Sequence, residues 1–469
     1  MLNQQVARLA ADYLVVGAGA AGMAFTDALV DHADVSVAMV DRRHGVGGHW
    51  LEAYPFVRLH QASAFYGVAS TLLGDGQVQP DGPEAGLQER ASAPEVTSYY
   101  ARVLEGLQRS GRVSFHPGCE YVGGSRFVSR VSGEVYEVDV RRRVVDAAFL
   151  SPQIPADTRP PFEVADGAHV ITVNDLVHLA QAPSQFVVVG SGKTATDACI
   201  WLLGNGVDPD AICWVRPREP WMINRAVVQP DPAVFLGMAA DVEQAAADAA
   251  TVEDMFVRLE DAGVMLRIDQ TVTPTMAKVP TLARWELDRL RTITDVVRLG
   301  HLRRVEPGRL VLTDGKVKVA EDAVVLHAAA PGLPVRPPVP IWSPDTITPQ
   351  PVRAGFPCFG AALVGYVEAT IESDEDKNRL CPPSPYSNTP TDWVRMQVLG
   401  YRASQAFMSH PDIRTWATTV ALNPARIPPD TPPTPELTDA LRRLRAYEEP
   451  GMTRMAELAG LPVPSQASG

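Results

Sequence analysis

Two sets of small residues carry the chemistry this sequence offers. Gly17, Gly19 and Gly22 form G-x-G-x-x-G, and Gly190, Gly192 and Ala195 repeat that spacing 173 residues further on, with alanine in third place. The first glycine permits a tight turn, the second lets backbone approach a pyrophosphate, and the third small residue lets helix and strand pack closely. A helix opening on such a turn offers free N–H groups and the positive end of its dipole to phosphate. The chemistry implied is dinucleotide binding, twice. Asp41 stands 24 positions after Gly17, where an acid can accept hydrogen bonds from a ribose. The second set has Arg216, then Arg218, at the equivalent place. A guanidinium there can pair with a 2′-phosphate that an aspartate would repel.

Strand–turn–helix–strand units must position these residues. The apolar run Tyr13–Val16 precedes the first turn, an alanine-rich amphipathic stretch follows to about Val30, and Val35–Asp41 reads as the next strand. Phe186–Val189, the stretch to Leu203 and AICWVR ending on Arg216 repeat the plan. GSGKT (190–194) imitates the end of a nucleotide-hydrolase phosphate loop, but Val187 stands where that loop needs glycine, so ATP hydrolysis is not expected. Residues 94–111 read as a helix, and short strands follow from Arg112 to Phe149, broken at Gly123-Gly124 and Gly133. VVDAAFLSPQIP (144–155) and VVLHAAAPGLP (324–334) resemble each other: a strand, small residues, a proline-rich exit. Helical character returns at 240–300, 356–372 and 391–409; a proline-rich linker (424–437) leads to a charged helix, 438–458, expected to present a solvated face.

The 469 residues suffice for two or three domains, and 42 Lys+Arg against 55 Asp+Glu give a net charge of −13. That balance argues against a nucleic-acid binder. No apolar run reaches the ~18 residues of a membrane span, and no secretory signal is visible at the N-terminus; a cytoplasmic enzyme is expected. The five cysteines (119, 199, 213, 358, 381) are scattered and never as close as CxxC. They form neither a disulfide framework nor a metal site.

The segment DRRHGVGGHW (41–50) decides between FAD and NAD at the first turn. With its acid, paired glycines and tryptophan it resembles the flavin-containing monooxygenases, a family with two dinucleotide-binding domains. YPFVRLHQASAFY (54–66) is similar to that family's stretch past the flavin ring. The resemblance implies FAD at the first turn, held by Gly17, Gly19, Ala20, Gly22, Asp41, Arg42 and Gly48. It implies that Trp50, His60 and Gln61 line the isoalloxazine side, with Gln61 the best-placed polar group and His60 a weaker one. Gln350, in TITPQPVR, is a candidate for the pyrimidine side. The second turn, with Gly192, Lys193, Thr194, Arg216 and Arg218, is expected to take NADPH rather than NADH.

The expected fold is α/β with two Rossmann-like domains. The FAD domain is discontinuous (1–155 and 336–430), a linker spans 156–185, and the NADPH domain spans 186–335 with a helical insertion at 240–300. A C-terminal helix and tail occupy 431–469. Two such sites in one chain imply hydride transfer from nicotinamide to flavin. Residues 23–118 contain no cysteine, which excludes the disulfide reductases. The resemblance implies a monooxygenase that captures O2 as a flavin hydroperoxide and oxidises a nitrogen or sulfur atom of a small molecule. An NADPH-dependent reductase without oxygenation and a catalytically silent FAD-binding protein are the alternatives. The family's ketone-oxidising signature, FxGxxxHxxxW, is not met: Phe162, Gly167 and His169 are present at the wrong spacing and no tryptophan follows. Another departure is Ala328-Ala329-Ala330, where relatives read A-T-G. The helical C-terminal segments could supply a surface for a homo-oligomer.

Overall fold

A computed structural model describes residues 6–463 of the chain. Strand β1 (Val6–Val16), helix α1 (Ala20–His32) and strand β2 (Val37–Asp41) open the first module. Helix α2 (Ala93–Arg109) and strands β3 (Val113–Pro117), β4 (Cys119–Gly123), β5 (Arg126–Ser129) and β6 (Val135–Asp146) continue it. The sheet order is β3-β2-β1-β6-β5-β4. The first four strands are parallel, and β4, β5 and β6 form an antiparallel meander. Every residue of β2 is buried, as a parallel strand covered on both faces requires. Helix α2 begins with a Ser92–Glu95 capping box and buries Val96, Tyr99, Tyr100 and Val103, one face at i, i+3, i+4, i+7.

The second module is a five-stranded parallel sheet. Its order is Val296–Val297, Ile212–Val215, Phe186–Val189, Val324–His327 and His169–Thr172, with helix α3 (Lys193–Gly204) after the central strand. The stretch 156–185, expected to be a linker, thus supplies an edge strand to this sheet. Four half-exposed residues give too short a pattern for that strand to be read from periodicity. Helices α4 (Pro232–Ala247), α5 (Val252–Asp261) and α6 (Arg284–Leu290) occupy and overrun the expected helical insertion, which also holds short strands at Met265–Arg267 and Thr281–Leu282.

The chain then returns to the first module. Thr346–Ile347 pairs with β6, and helix α7 (Pro357–Thr370) packs on α1 so closely that a Cβ on Gly365 would overlap the Phe25 carbonyl. Helices α8 (Asp374–Leu380), α9 (Pro390–Met408), α10 (Pro411–Thr419) and α11 (Pro435–Leu458) complete the molecule. Among the described residues no helix is long and apolar enough to cross a membrane.

The reading of the last helix as a solvated face is corrected by its packing. Leu437, Ala440, Gly451, Met455 and Ala456 are buried, and α11 lies against α4 and α9. The charges crowd its outer side, which hid a narrow apolar stripe from the composition. At the crossing, Gly451 leaves just enough room for Glu243 of α4, whose Oε2 has no hydrogen-bond partner. Burial, with Glu448 nearby, pushes the Glu243 carboxyl up to about 9 from an ordinary value near 4.5. The folded protein therefore holds the proton while the unfolded chain releases it. The stability this gives is complete below pH 4.5 and is lost as pH rises from there towards 9. Glu243→Gln should raise the melting temperature at pH 8 by about 2 °C or more and leave it unchanged at pH 4. Equal effects at both pH values would contradict this account.

Candidate functional site

Both glycine turns open into one cleft of about 1250 Å³ between the modules. Pockets for one small ligand enclose roughly 300–1,000 Å³, so the cleft has room for more than one. At the first turn Gly17 adopts φ +101°, and a Cβ on Gly22 would overlap the Gly17 carbonyl oxygen. Gly48 lies across the turn, where its Cβ would come within 3.0 Å of the Gly19 Cα. Helix α1 has no side-chain cap and no acid in its first turn, so its N–H groups, beginning at Ala20, face the cleft without a protein partner. Asp41, 6% exposed, accepts the Ala18 N–H at 2.7 Å and the Arg43 N–H at 2.8 Å. Each carboxylate oxygen keeps a lone pair for a ribose hydroxyl. These residues fit an adenine dinucleotide: backbone approaches backbone wherever a side chain would fill the phosphate cradle. Arg42 also lines the cleft, beside Asp157 at 3.6 Å.

The second turn repeats the geometry. Gly190 has φ +132°, and its Cβ would meet the Ala328 carbonyl oxygen at 2.7 Å; a Cβ on Gly17 would touch Ala147 and Ala148 at 3.4 Å. The resemblance between 144–155 and 324–334 therefore has a physical reason. Each glycine turn needs a strand end of small residues beside it, and three alanines serve at 328–330. No atom lies within 4 Å of a Cβ built on Gly192, which leaves the second phosphate approach open. Lys193 pairs with Asp197, which accepts the Tyr54 hydroxyl at 2.6 Å; Thr194 stands beside them on the wall.

The arginines separate. Arg216 is 3% exposed, stacks 4.6 Å over the Trp214 ring and faces Glu219 at 3.3 Å, behind the cleft wall. Arg218 lines the cleft with Lys278, and its guanidinium also reaches Asn388 Oδ1 at 3.1 Å. Burial and the neighbouring Arg218 lower the Lys278 pKa, as two cations without an anion between them require. Lys278 was not legible in the sequence, because its loop joins Arg218 only through the tertiary fold.

Across the cleft, Trp50 donates its indole N–H to the Tyr66 hydroxyl at 2.6 Å. Gln61 reaches the cleft, and among the described residues nothing hydrogen-bonds its amide. Gln350 lines the cleft too, but its amide clamps the Val339 backbone at 3.1 and 2.8 Å. His60 accepts the Thr281 N–H on Nδ1 at 3.4 Å, and burial, with Lys193 and Arg225 near, holds its pKa at about 3. The imidazole is therefore neutral and a poor base. His49 is held to about 4, chiefly by burial. Burial also raises Tyr54, Tyr66 and Tyr100 above their ordinary pKa.

One arginine ties the two sides together. Arg225, 0% exposed, bonds Glu84 and Glu286 and donates to the His60 carbonyl at 3.0 Å. No local motif marks it, since Glu84 and Glu286 lie far away along the chain.

The fold is that of two-domain flavin monooxygenases. It is similar to the polycyclic ketone monooxygenase from the thermophilic fungus Thermothelomyces thermophila, with TM-score 0.52, 12% identity and coverage of 94% of this chain and 88% of that one. An oxidized steroid monooxygenase bound to NADP superposes with TM-score 0.50 at 13% identity, covering 86% and 98%. Residues 15–65 match the NAD(P)-binding Rossmann-like domain family. Over 416 residues the chain is 41% identical to the uncharacterized protein Rv2000 of Mycobacterium tuberculosis, covering 88% of this chain and 77% of that protein. The uncharacterized protein Mb2023 of Mycobacterium bovis matches to the same extent. This chain belongs to the family of these mycobacterial proteins.

Removing Arg225 leaves Glu286 buried without a cation, while Glu84 keeps Arg90 at 2.7 Å. Arg225→Met should cost ~3–5 kcal/mol of stability, read by urea unfolding; an unfolding midpoint equal to that of the wild type would contradict the role given to this residue.

Proposed function

We propose that the protein is an FAD- and NADPH-dependent monooxygenase that places one oxygen atom of O2 on a nitrogen or sulfur atom of a small molecule. The observation that carries this reading is the single cleft shared by two glycine turns with opposite charge beside them, Asp41 at the first and Arg218 with Lys278 at the second. When bound, FAD supplies the redox chemistry, taking a hydride from NADPH and passing electrons to O2. The chain's own residues bind, orient and insulate. The first turn, Gly48 and the α1 N-terminus hold the FAD pyrophosphate, and Asp41 its ribose. Gly192, Lys193 and Thr194 hold the nicotinamide dinucleotide, and Arg218 with Lys278 takes the 2′-phosphate.

Part of the wall between is suited to oxygen chemistry, because burial keeps His49, His60 and Tyr66 uncharged there. These three groups are therefore poor proton donors and acceptors towards a bound reagent. The nearby Cys358 thiol is pushed up to about 12 by burial, which leaves no thiolate for disulfide exchange. Gln61 offers a free amide. His169, the histidine of the incomplete ketone-oxidising signature, is exposed on an edge strand and does not reach the cleft, which favours a heteroatom substrate over a ketone.

The test feeds the purified flavoprotein NADPH, 18O2 and, in turn, thioanisole, N,N-dimethylaniline and cyclohexanone. A labelled sulfoxide or N-oxide formed in proportion to NADPH is expected. Free hydrogen peroxide alone would leave a reductase, labelled lactone alone a ketone oxidiser, and no NADPH consumption a silent flavoprotein. In the same assay Arg218→Ala should raise KM for NADPH by ~10- to 100-fold and barely change KM for NADH. Arg216→Ala should lower stability without that selectivity.

A further inference from the structure

Arg353 is a cation the functions above do not use. It sits between Gln350 and α7, in ITPQPVRAGFPCFGAALVGYV, an apolar stretch with no other charge. Its guanidinium is deep in the molecule yet half-buried rather than sealed, because it opens onto the cleft. Among the described residues no carboxylate pairs with it, and its one hydrogen bond is a long one to Ser404 Oγ, 3.4 Å. Desolvation alone pulls its pKa down to about 10, and no charged neighbour offsets it. The other buried arginines of the core are treated differently: Arg225 has two glutamates and Arg216 has Glu219.

The position is fixed by packing. Gly400 of α9 accommodates Ala354, whose backbone N would lie 2.9 Å from a Cβ there. Phe356 packs against Phe65 and Phe235, with ring centroids 5.3 and 5.8 Å apart. The loop is thereby locked between α9 and an aromatic cluster, and the guanidinium is held where it is desolvated. Its contacts are with α9 and this cluster, whereas the phosphate cradles lie at Gly19–Gly48 and Gly192. Trp393 and Met396 of α9, the helix that carries Ser404 and Gly400, also line the cleft and are apolar.

We infer that Arg353, with Ser404, docks a carboxylate of the substrate, so that the molecule oxygenated is an acid carrying an apolar body. This rests on the monooxygenase reading and deepens it. A planar guanidinium fork matches a carboxylate in two parallel hydrogen bonds, and the dry surroundings strengthen both. The carboxylate restores charge balance at Arg353 and fixes the apolar body against the aromatic wall, which orients the atom to be oxygenated. The same guanidinium could instead face an anionic oxygen of the reduced flavin ring, and the test separates these sources.

The test is equilibrium binding to the FAD-loaded protein, without NADPH and without turnover. Calorimetry compares phenylacetate, indole-3-acetate and hexanoate, each with its neutral amide. At least one acid is expected to bind about 10-fold or more tightly than its amide. Arg353→Met should abolish that preference at wild-type flavin content and melting temperature, and Arg353→Lys should keep part of it. Absence of any acid-over-amide preference in the wild type overturns the proposal, as does a preference that survives in Arg353→Met. An unchanged preference together with a shifted flavin midpoint potential in Arg353→Met would assign the guanidinium to the flavin ring. Because binding is read without NADPH, failure of the monooxygenase reading shows separately, as a flavin that NADPH does not reduce.

Discussion

The buried contact of Arg225 with Glu84, Glu286 and the His60 carbonyl sets the relation between the two modules. Its charge lies on the segment leading into α4, and its partners lie on the first module and on α6. Buried charge of this kind is tolerated only when fully paired, so the pairing fixes the segment carrying His60 and Gln61 against the second module. The width of the cleft follows from that arrangement. Transfer between two bound dinucleotides depends on that width, because a reacting pair must be held about 3–3.5 Å apart.

Within the frame so fixed, close backbone packing shapes the phosphate sites and burial tunes the wall. Gly17 against Ala147–Ala148 and Gly190 against Ala328 are the same contact made twice. Small residues on both sides leave the helix N-termini facing the cleft. Further in, desolvation suppresses ionisation at His49, His60, Tyr66 and Cys358. Arg353 departs from this pattern, since it remains a cation in a wall of neutral groups.

The two Rossmann units were legible because their signals are local: apolar strand, glycine spacing, helix and a charged strand end all fall within about thirty residues. The return of the chain to the first sheet, where Thr346–Ile347 pairs with β6, carries no such local signal and was expected only from the resemblance. What stayed hidden depends on contacts far apart in sequence. Arg216 has the right residue type at the right strand end, yet Trp214 and Glu219 draw it behind the wall, and nothing in the motif reports that competition. Gln350, offered for the pyrimidine side, has its amide taken up by the Val339 backbone. The apolar stripe of α11 was masked by its charges. Arg353 did leave a trace, a single charge in a long apolar stretch, which could have been singled out on the cost of burying it.

In the proposed reading the cleft holds FAD and NADPH together for direct electron transfer. Anaerobic mixing of the purified protein with NADPH in a stopped-flow spectrometer tests it most directly. A bound flavin spectrum is expected before mixing, bleached by NADPH faster than by NADH at equal concentration. A protein purified without flavin that fails to bind added FAD, or a bound flavin that NADPH leaves oxidised, would contradict it.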